Sequence, residues 1–156
     1  MGFDVHAFSD DPGRRLVLGG VTLDGPGLSG HSDADALAHA VADALLGAAG
    51  LGDLGSHFPD TDPAYAGADS MALLAQVVRS VGEHWEIGNV DATVILEAPK
   101  LAPYRSEIER RLSEVVGAPV SVKAKRAEGL GAIGRREGIA ALAVALIETA
   151  PARAAR

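Results

Sequence analysis

Asp4 and His6 stand two residues apart in GFDVHAF, a stretch whose composition predicts a strand. Side chains at i and i+2 of a strand leave the same face, so the carboxylate and the imidazole can converge on one ion. The pair alone also fits a polar strand edge, and a third ligand changes its meaning. His39 offers one. It lies on a predicted helix with Asp35 four residues before it and Asp43 four after, all near one helix face. A carboxylate there can orient a metal-bound imidazole through its second nitrogen. The other reading is a helix histidine paired with one of those aspartates. An Asp-His-His set with an open fourth position has the composition of a catalytic zinc site, where the metal polarises a substrate oxygen.

Two further segments suit anions. His31-Ser32-Asp33 follows the run Gly25-Pro26-Gly27-Leu28-Ser29-Gly30 and precedes a helix, where free backbone N–H groups and the helix dipole favour a phosphate. Ser32 and Asp33 equally suit helix capping, and the two roles are compatible. Residues 123–138, KAKRAEGLGAIGRREG, form a glycine-spaced basic loop in an otherwise acidic chain. Glycines let backbone approach phosphates and the cations neutralise them, although a solvated connection between strands has the same composition. No P-loop or dinucleotide fingerprint accompanies it.

Composition narrows the chemistry. The 156 residues suit a single domain, 1–156, with an Ala/Arg-rich flexible tail at 149–156. The absence of cysteine excludes thiol nucleophiles, zinc ribbons and iron–sulfur clusters, so any metal must be held by His and carboxylate. With 21 acidic against 14 basic residues and a net charge of −7, nucleic acid and anionic membrane are not expected partners. Aromatic residues, at 4%, are too few for a base-stacking platform. The N-terminus has no charged n-region, and no run of about 18 apolar residues occurs, which gives a cytoplasmic expectation.

The elements that must position these residues follow from periodicity. Segments 2–8 and 15–23 read as strands joined in a hairpin by the turn signal Asp10-Asp11-Pro12-Gly13. The run 25–30 reads as irregular loop. Ser32, with Asp35 three residues on, resembles a capping box opening a helix whose face carries Leu37, Val41 and Leu45 and which stops near 47–50. Residues 52–67 read as a long functional loop. Asp69 or Ser70 caps a second helix through Val81, closed by Gly82, and a third spans about 104–116. Val90 to Leu96, 120–124 and 139–147 read as strands. The order β-β-α-α-β-α-β-β predicts a single-domain α+β sandwich with the helices on one face of a mostly β sheet.

In their order, GFDVHAF, HSDADALAHAVADALLGAAGLGDLGSHFPDTDP, GNVDATVILEAPKLAP and KAKRAEGLGAIGRREGIA closely resemble the 2-C-methyl-D-erythritol 2,4-cyclodiphosphate synthases of the non-mevalonate isoprenoid pathway, over nearly the whole chain. The resemblance implies a homotrimer with an active site at each subunit interface, and a phosphorus–oxygen lyase reaction. In 4-diphosphocytidyl-2-C-methyl-D-erythritol 2-phosphate, the 2-phosphate attacks the β-phosphorus, closes a cyclic diphosphate and expels CMP. Asp4, His6 and His39 match the ligands of one zinc per subunit, and Glu128 matches a ligand of Mg2+ or Mn2+ on the diphosphate. His31 and Ser32 match phosphate-positioning residues, with His31 in a catalytic role, and Val5 lies within the substrate-binding strand motif. Asp53, Leu54, Gly55, Phe58, Pro59, Asp60, Thr61 and Asp62 match the segments that hold the methylerythritol part. Ala98, Pro99, Lys100, Leu101 and Ala102, with the stretch from Ala124, match the cytidine and diphosphate pocket, contributed partly across the interface. Arg135 and Glu137 match residues near the trimer axis, where some members hold an isoprenoid diphosphate.

Such chemistry suits the residues present. Both reacting groups belong to one molecule, so no covalent nucleophile is needed; alignment alone is worth on the order of 7–11 kcal/mol. Three departures stand out. Lys125 and Arg126 replace threonines that often contact the diphosphate, so a cation is expected to substitute for the hydroxyl, with Arg126 catalytic; binding by backbone N–H groups alone is the alternative. Ala132 replaces an often aromatic residue, which sets isoprenoid binding on the axis in question. The chain starts at the motif without the few strand residues that usually precede it, which suits a trimmed start or an origin in a two-enzyme fusion. Competing functions are a zinc phosphoesterase, in which the metal activates water, and a non-catalytic metal- or isoprenoid-binding trimer.

Overall fold

Along β1 (Gly2–Ala7), Phe3 and Val5 face one side of the sheet while Gly2, Asp4 and His6 face the other, as strand alternation requires. The computed structural model describes residues 1–150. Its main sheet has the order β1-β6-β4-β5, with β4 (Trp85–Ile95), β5 (Val120–Lys125) and β6 (Gly138–Thr149). β6 pairs antiparallel with both β1 and β4, and β4 pairs parallel with β5, making a mixed sheet. The strand run 139–147 is thus a central strand, whose near-continuous apolar character reflects burial on both sides over its first half.

Helices α1 (Ala36–Ala49), α3 (Ser70–Val81) and α4 (Arg105–Val116) cover one face. Their stripes, Leu37, Val41 and Leu45, then Leu74, Val77 and Val81, then Ile108 and Leu112, close a single core over Val90, Ala92, Val94, Val122 and Ile139. Each such fully buried large side chain stabilises the fold by roughly 1.5–3 kcal/mol. At β1 the approach is close: a Cβ on Gly2 would lie 2.0 Å from the Ala40 carbonyl oxygen. The alanine-rich face of α1 therefore lies directly on β1, which brings His39 over Asp4 and His6. The fold class is α+β, with helices on one face of a mixed sheet.

Several local expectations give way. The segments 2–8 and 15–23 form no hairpin: β1 pairs with β6, and the second segment folds on itself as β2 (Arg15–Leu18) and β3 (Val21–Pro26). Gly19 and Gly20, both at positive φ, make that turn. β3 extends to Pro26, so the glycine-rich run begins as strand, with a bulge at Arg15/Leu16. Ser32 is not the cap of α1. Asp35 is, accepting from Ala38 N at 3.0 Å and also from Gly19 N at 2.9 Å and Gly20 N at 2.7 Å. The long loop contains a short α2 (Leu54–His57) and a 3-10 turn over Pro63–Tyr65, and the basic loop contains α5 (Gly131–Gly134). Of the expected tail, Thr149 pairs with Trp85 at the end of β6, while 151–156 lie outside the described residues.

Candidate active site

Strand β1 and helix α1 bring Asp4, His6 and His39 to one point, with a ligand atom from each within 4.8 Å of the others. Asp4 Oδ2 lies 2.9 Å from His6 Nε2 and 2.9 Å from His39 Nδ1, and the two nitrogens are 3.4 Å apart. A tetrahedral zinc with bonds of about 2.0–2.1 Å spaces its ligand atoms about 3.3–3.4 Å apart, so the cluster needs only a small opening at Asp4. His6 is held for that role from behind. Its Nδ1–H donates to the Ser29 carbonyl oxygen at 2.6 Å, so neutral His6 presents the Nε2 lone pair to the cluster. Burial pushes the Asp4 carboxyl up, but the hydrogen bonds from His39 and His6 outweigh it and hold it well below the usual carboxylate range. The hydrogen bond to Asp4 raises His6 above its ordinary value, against the effect of burial. Protons and a cation therefore compete for the same three groups, and the residues fit a divalent metal.

The second nitrogen of His39 is not held by Asp35 or Asp43. Asp35 is fully buried as the α1 cap, where burial pushes its carboxyl up, and Asp43 accepts from Leu54 N at 2.7 Å, fixing the start of α2. His39 Nε2 instead meets Ser70 Oγ at 2.8 Å, and the Ser70 hydroxyl donates to Asp33 in a very short contact. In the sequence Ser70 carries only a helix-start signal; no local pattern links it to a residue 31 positions away.

Next to the triad lies a cleft of about 320 Å3, walled by His31, Leu54, Gly55, Phe58, Asp60 and Tyr65. Phe58 and Tyr65 meet edge to face, ring centroids 5.3 Å apart. Leu73, whose spacing marks it only as part of the apolar stripe of α3, also lines this wall, and Tyr65 carries no local sequence signal that points to the site. The loop carrying His31 and Ser32 is pinned by Gly67 N to the His31 carbonyl (2.7 Å), Asp33 N to the Ala68 carbonyl (3.0 Å) and Arg14 Nη2 to the Ser32 carbonyl (2.7 Å). His31 stays exposed, its Nε2 donating to the Asp62 carbonyl at 3.1 Å. Asp53 and Asp62 cap α2 and the 3-10 turn. Pro59 and Thr61 are exposed beside the cleft wall, and Val5 points to the opposite face of the sheet.

The other expected residues gather at the far edge. Pro99, Lys100, Leu101 and Ala102 meet Ala124, Lys125 and Arg126 around a second pocket of about 210 Å3, with Ala98 just outside it. Arg126 is not free: its Nη2 and Nε donate to Glu97 Oε2 at 2.8 and 3.1 Å, and Gly129 N donates to Glu97 Oε1 at 3.3 Å. The hydrogen bond from Arg126 holds the Glu97 carboxyl below the usual range. Glu128 sits exposed in that turn at φ 52°, and Arg135 Nε donates to Glu137 at 2.7 Å. In register, Asp4 lies beside Ala141, Ala141 beside Val94 and Val94 beside Ala124. Three strand spacings of about 4.8 Å thus separate the triad from the second pocket.

A model of the YgbB family matches residues 1–148. The chain belongs to the YgbB family. Among its relatives, a 2-C-methyl-D-erythritol 2,4-cyclodiphosphate synthase of Cupriavidus metallidurans is 60% identical over 151 residues, covering 94% of this chain and 89% of that one. A bifunctional enzyme IspD/IspF of Anaeromyxobacter dehalogenans is 54% identical over 151 residues; the chain spans only 39% of its length. The structure of Plasmodium falciparum IspF in complex with CDP aligns with TM-score 0.83 at 32% identity, covering 96% of this chain and 94% of that one. Family membership therefore extends over both edges of the sheet, triad and far pocket alike.

Proposed function

We propose that this chain is a 2-C-methyl-D-erythritol 2,4-cyclodiphosphate synthase, acting on 4-diphosphocytidyl-2-C-methyl-D-erythritol 2-phosphate. An oxygen of the 2-phosphate forms a bond to the β-phosphorus, the bond from that phosphorus to the bridging oxygen breaks, and CMP leaves with that oxygen. The observation that carries the reading is the Asp4/His6/His39 cluster at the floor of the cleft, with His6 turned so that its lone pair faces inward. Zinc on this triad, one per subunit, and Mg2+ or Mn2+ at Glu128 are the cations of this reading; when bound they draw charge from phosphate oxygens that must crowd together. The chain supplies alignment. His31 and Ser32 orient the phosphates, Leu54, Gly55, Phe58 and Asp60 enclose the methylerythritol part, and Asp53, Pro59, Thr61 and Asp62 shape that wall. The pocket of Pro99 to Ala102 with Ala124 takes cytidine, and Lys125 or Arg126 meets the diphosphate.

A homotrimer belongs to the same reading. Half of the proposed site lies at the β1 edge and half at the β5 edge, so a head-to-tail ring joins complementary halves from neighbouring subunits. The sheet face turned away from the helices offers the surface for it: Phe3, Val5, Val144 and Leu146 are each more than half exposed there. Arg135 would lie near the ring axis. No described helix is long and apolar enough to cross a membrane. The test is product analysis by phosphorus NMR with Zn2+ and Mg2+ added. Cyclic diphosphate with one equivalent of CMP supports the reading; inorganic phosphate or a linear product identifies a phosphoesterase and overturns it.

A further inference from the structure

Behind His39 runs a chain of donors with only one consistent direction. Asp33 is a pure acceptor when ionised: its Oδ1 takes the Ser70 hydroxyl proton and its Oδ2 faces Ser70 N at 3.3 Å. A hydroxyl has one proton to give. Having given it to Asp33, Ser70 Oγ can only accept along its 2.8 Å contact with His39, so His39 Nε2 must carry a hydrogen. Neutral His39 is then left with its lone pair on Nδ1, the atom that faces Asp4 and His6. Ser70 is 1% exposed, so water does not offer an alternative partner. Ser32 Oγ, 3.3 Å from both groups and accepting from Ala34 N at 3.1 Å, closes the pocket around the hydroxyl.

We infer that Ser70 and Asp33 are positioning residues that lock His39 in the tautomer able to ligate a metal through Nδ1. The inference rests on reading the triad as a metal site. It also explains why the first turn of α3 is tied to the His31 loop: Ser70 and Asp33 belong to those two elements, so docking α3 against the loop sets the imidazole. Groups of this kind commonly change metal affinity by about 10–100-fold.

The test is a double-mutant cycle on Zn2+ affinity, measured in the purified full chain by competition with a chromophoric chelator, using Ser70→Ala and His39→Ala singly and together. Ser70→Ala is expected to weaken Zn2+ binding about 10–100-fold in the native background and to add no further loss once His39 is alanine. Ser70→Thr, which keeps the hydroxyl, should restore most of the affinity. An equal loss from Ser70→Ala in both backgrounds would mean that it acts through general packing, and no loss in either would also overturn the inference while leaving the metal site intact. Undiminished affinity in His39→Ala would remove the metal site itself, and the inference with it. If Ser70→Ala does not fold, Asp33→Asn takes its place in the same cycle, with a smaller loss expected in the same direction.

Discussion

At the β1 edge the histidine nitrogens facing Asp4 are backed by fixed partners, Ser29 behind His6 and Ser70 behind His39, and the side chains are largely covered. At the β5 edge Arg126 is 62% exposed and pairs with Glu97 on its own chain, while Glu128 stands in a left-handed turn open to solvent. Within one chain the first region already gathers three ligand atoms that could hold a small cation. The second holds cationic and acidic groups that neutralise one another. On the function proposed above, a metal would complete the first region, whereas substrate phosphates and a neighbouring subunit would draw the second into use.

His39→Ala should have the greatest consequence for the β1 edge. Loss of a ligand from a prebuilt site should lower Zn2+ affinity by more than the roughly 10–100-fold typical of outer-shell changes, and turnover should fall with it. Metal analysis after dialysis checks this; full zinc retention would mean that the first region is not a metal site. A smaller effect is expected from Arg126→Ala. If the guanidinium leaves Glu97 for the diphosphate, a charge-assisted contact is lost, and kcat should fall roughly tenfold to a hundredfold, with KM changing less. Near-normal kcat in Arg126→Ala, Lys125→Ala and the double variant would show that backbone N–H groups alone hold the phosphates.

The smallest effect concerns the Glu97 pair in the substrate-free protein. Because the hydrogen bond from Arg126 lowers the Glu97 carboxyl, its contribution to stability is present above the ordinary carboxylate pKa and is lost as pH falls through the lowered value. The urea midpoint of the native protein should therefore exceed that of Glu97→Gln slightly at neutral pH, and the gap should close on acidification. A gap that widens in acid would contradict the pairing.

Much of the helical layer was legible because its signals are local. Asp69 caps α3 and Gly82 ends it where the sequence places them, and the stripes of α1, α3 and α4 face the core. The pairing of Asp4 with His6 followed from strand alternation, and the same rule turns Val5 to the other face. Strand partners were not legible. Asp10 to Gly13 is a genuine turn signal, with Gly13 N donating to Asp11, but pairing with β6, more than 130 residues away, is set by the core and not by the turn. Asp35 misled for a different reason: four-residue spacing places it near His39 only if both lie within the helix, and α1 starts at Ala36, which leaves the Asp35 side chain to cap and to hold Gly19 and Gly20. The contacts from Ser70 to His39 and from Glu97 to Arg126 join separate elements, and no single-segment pattern encodes them.

Whether the two edges serve one site across neighbouring subunits is decided by mixing Asp4→Ala and Glu128→Ala proteins, each expected to be inactive alone, under conditions where subunit exchange is confirmed by labelled chains. In a head-to-tail ring, an equal mixture places an intact β1 edge against an intact β5 edge at about a quarter of the interfaces, so about a quarter of native activity should return. No recovery despite proven exchange would mean that each site is built within a single chain.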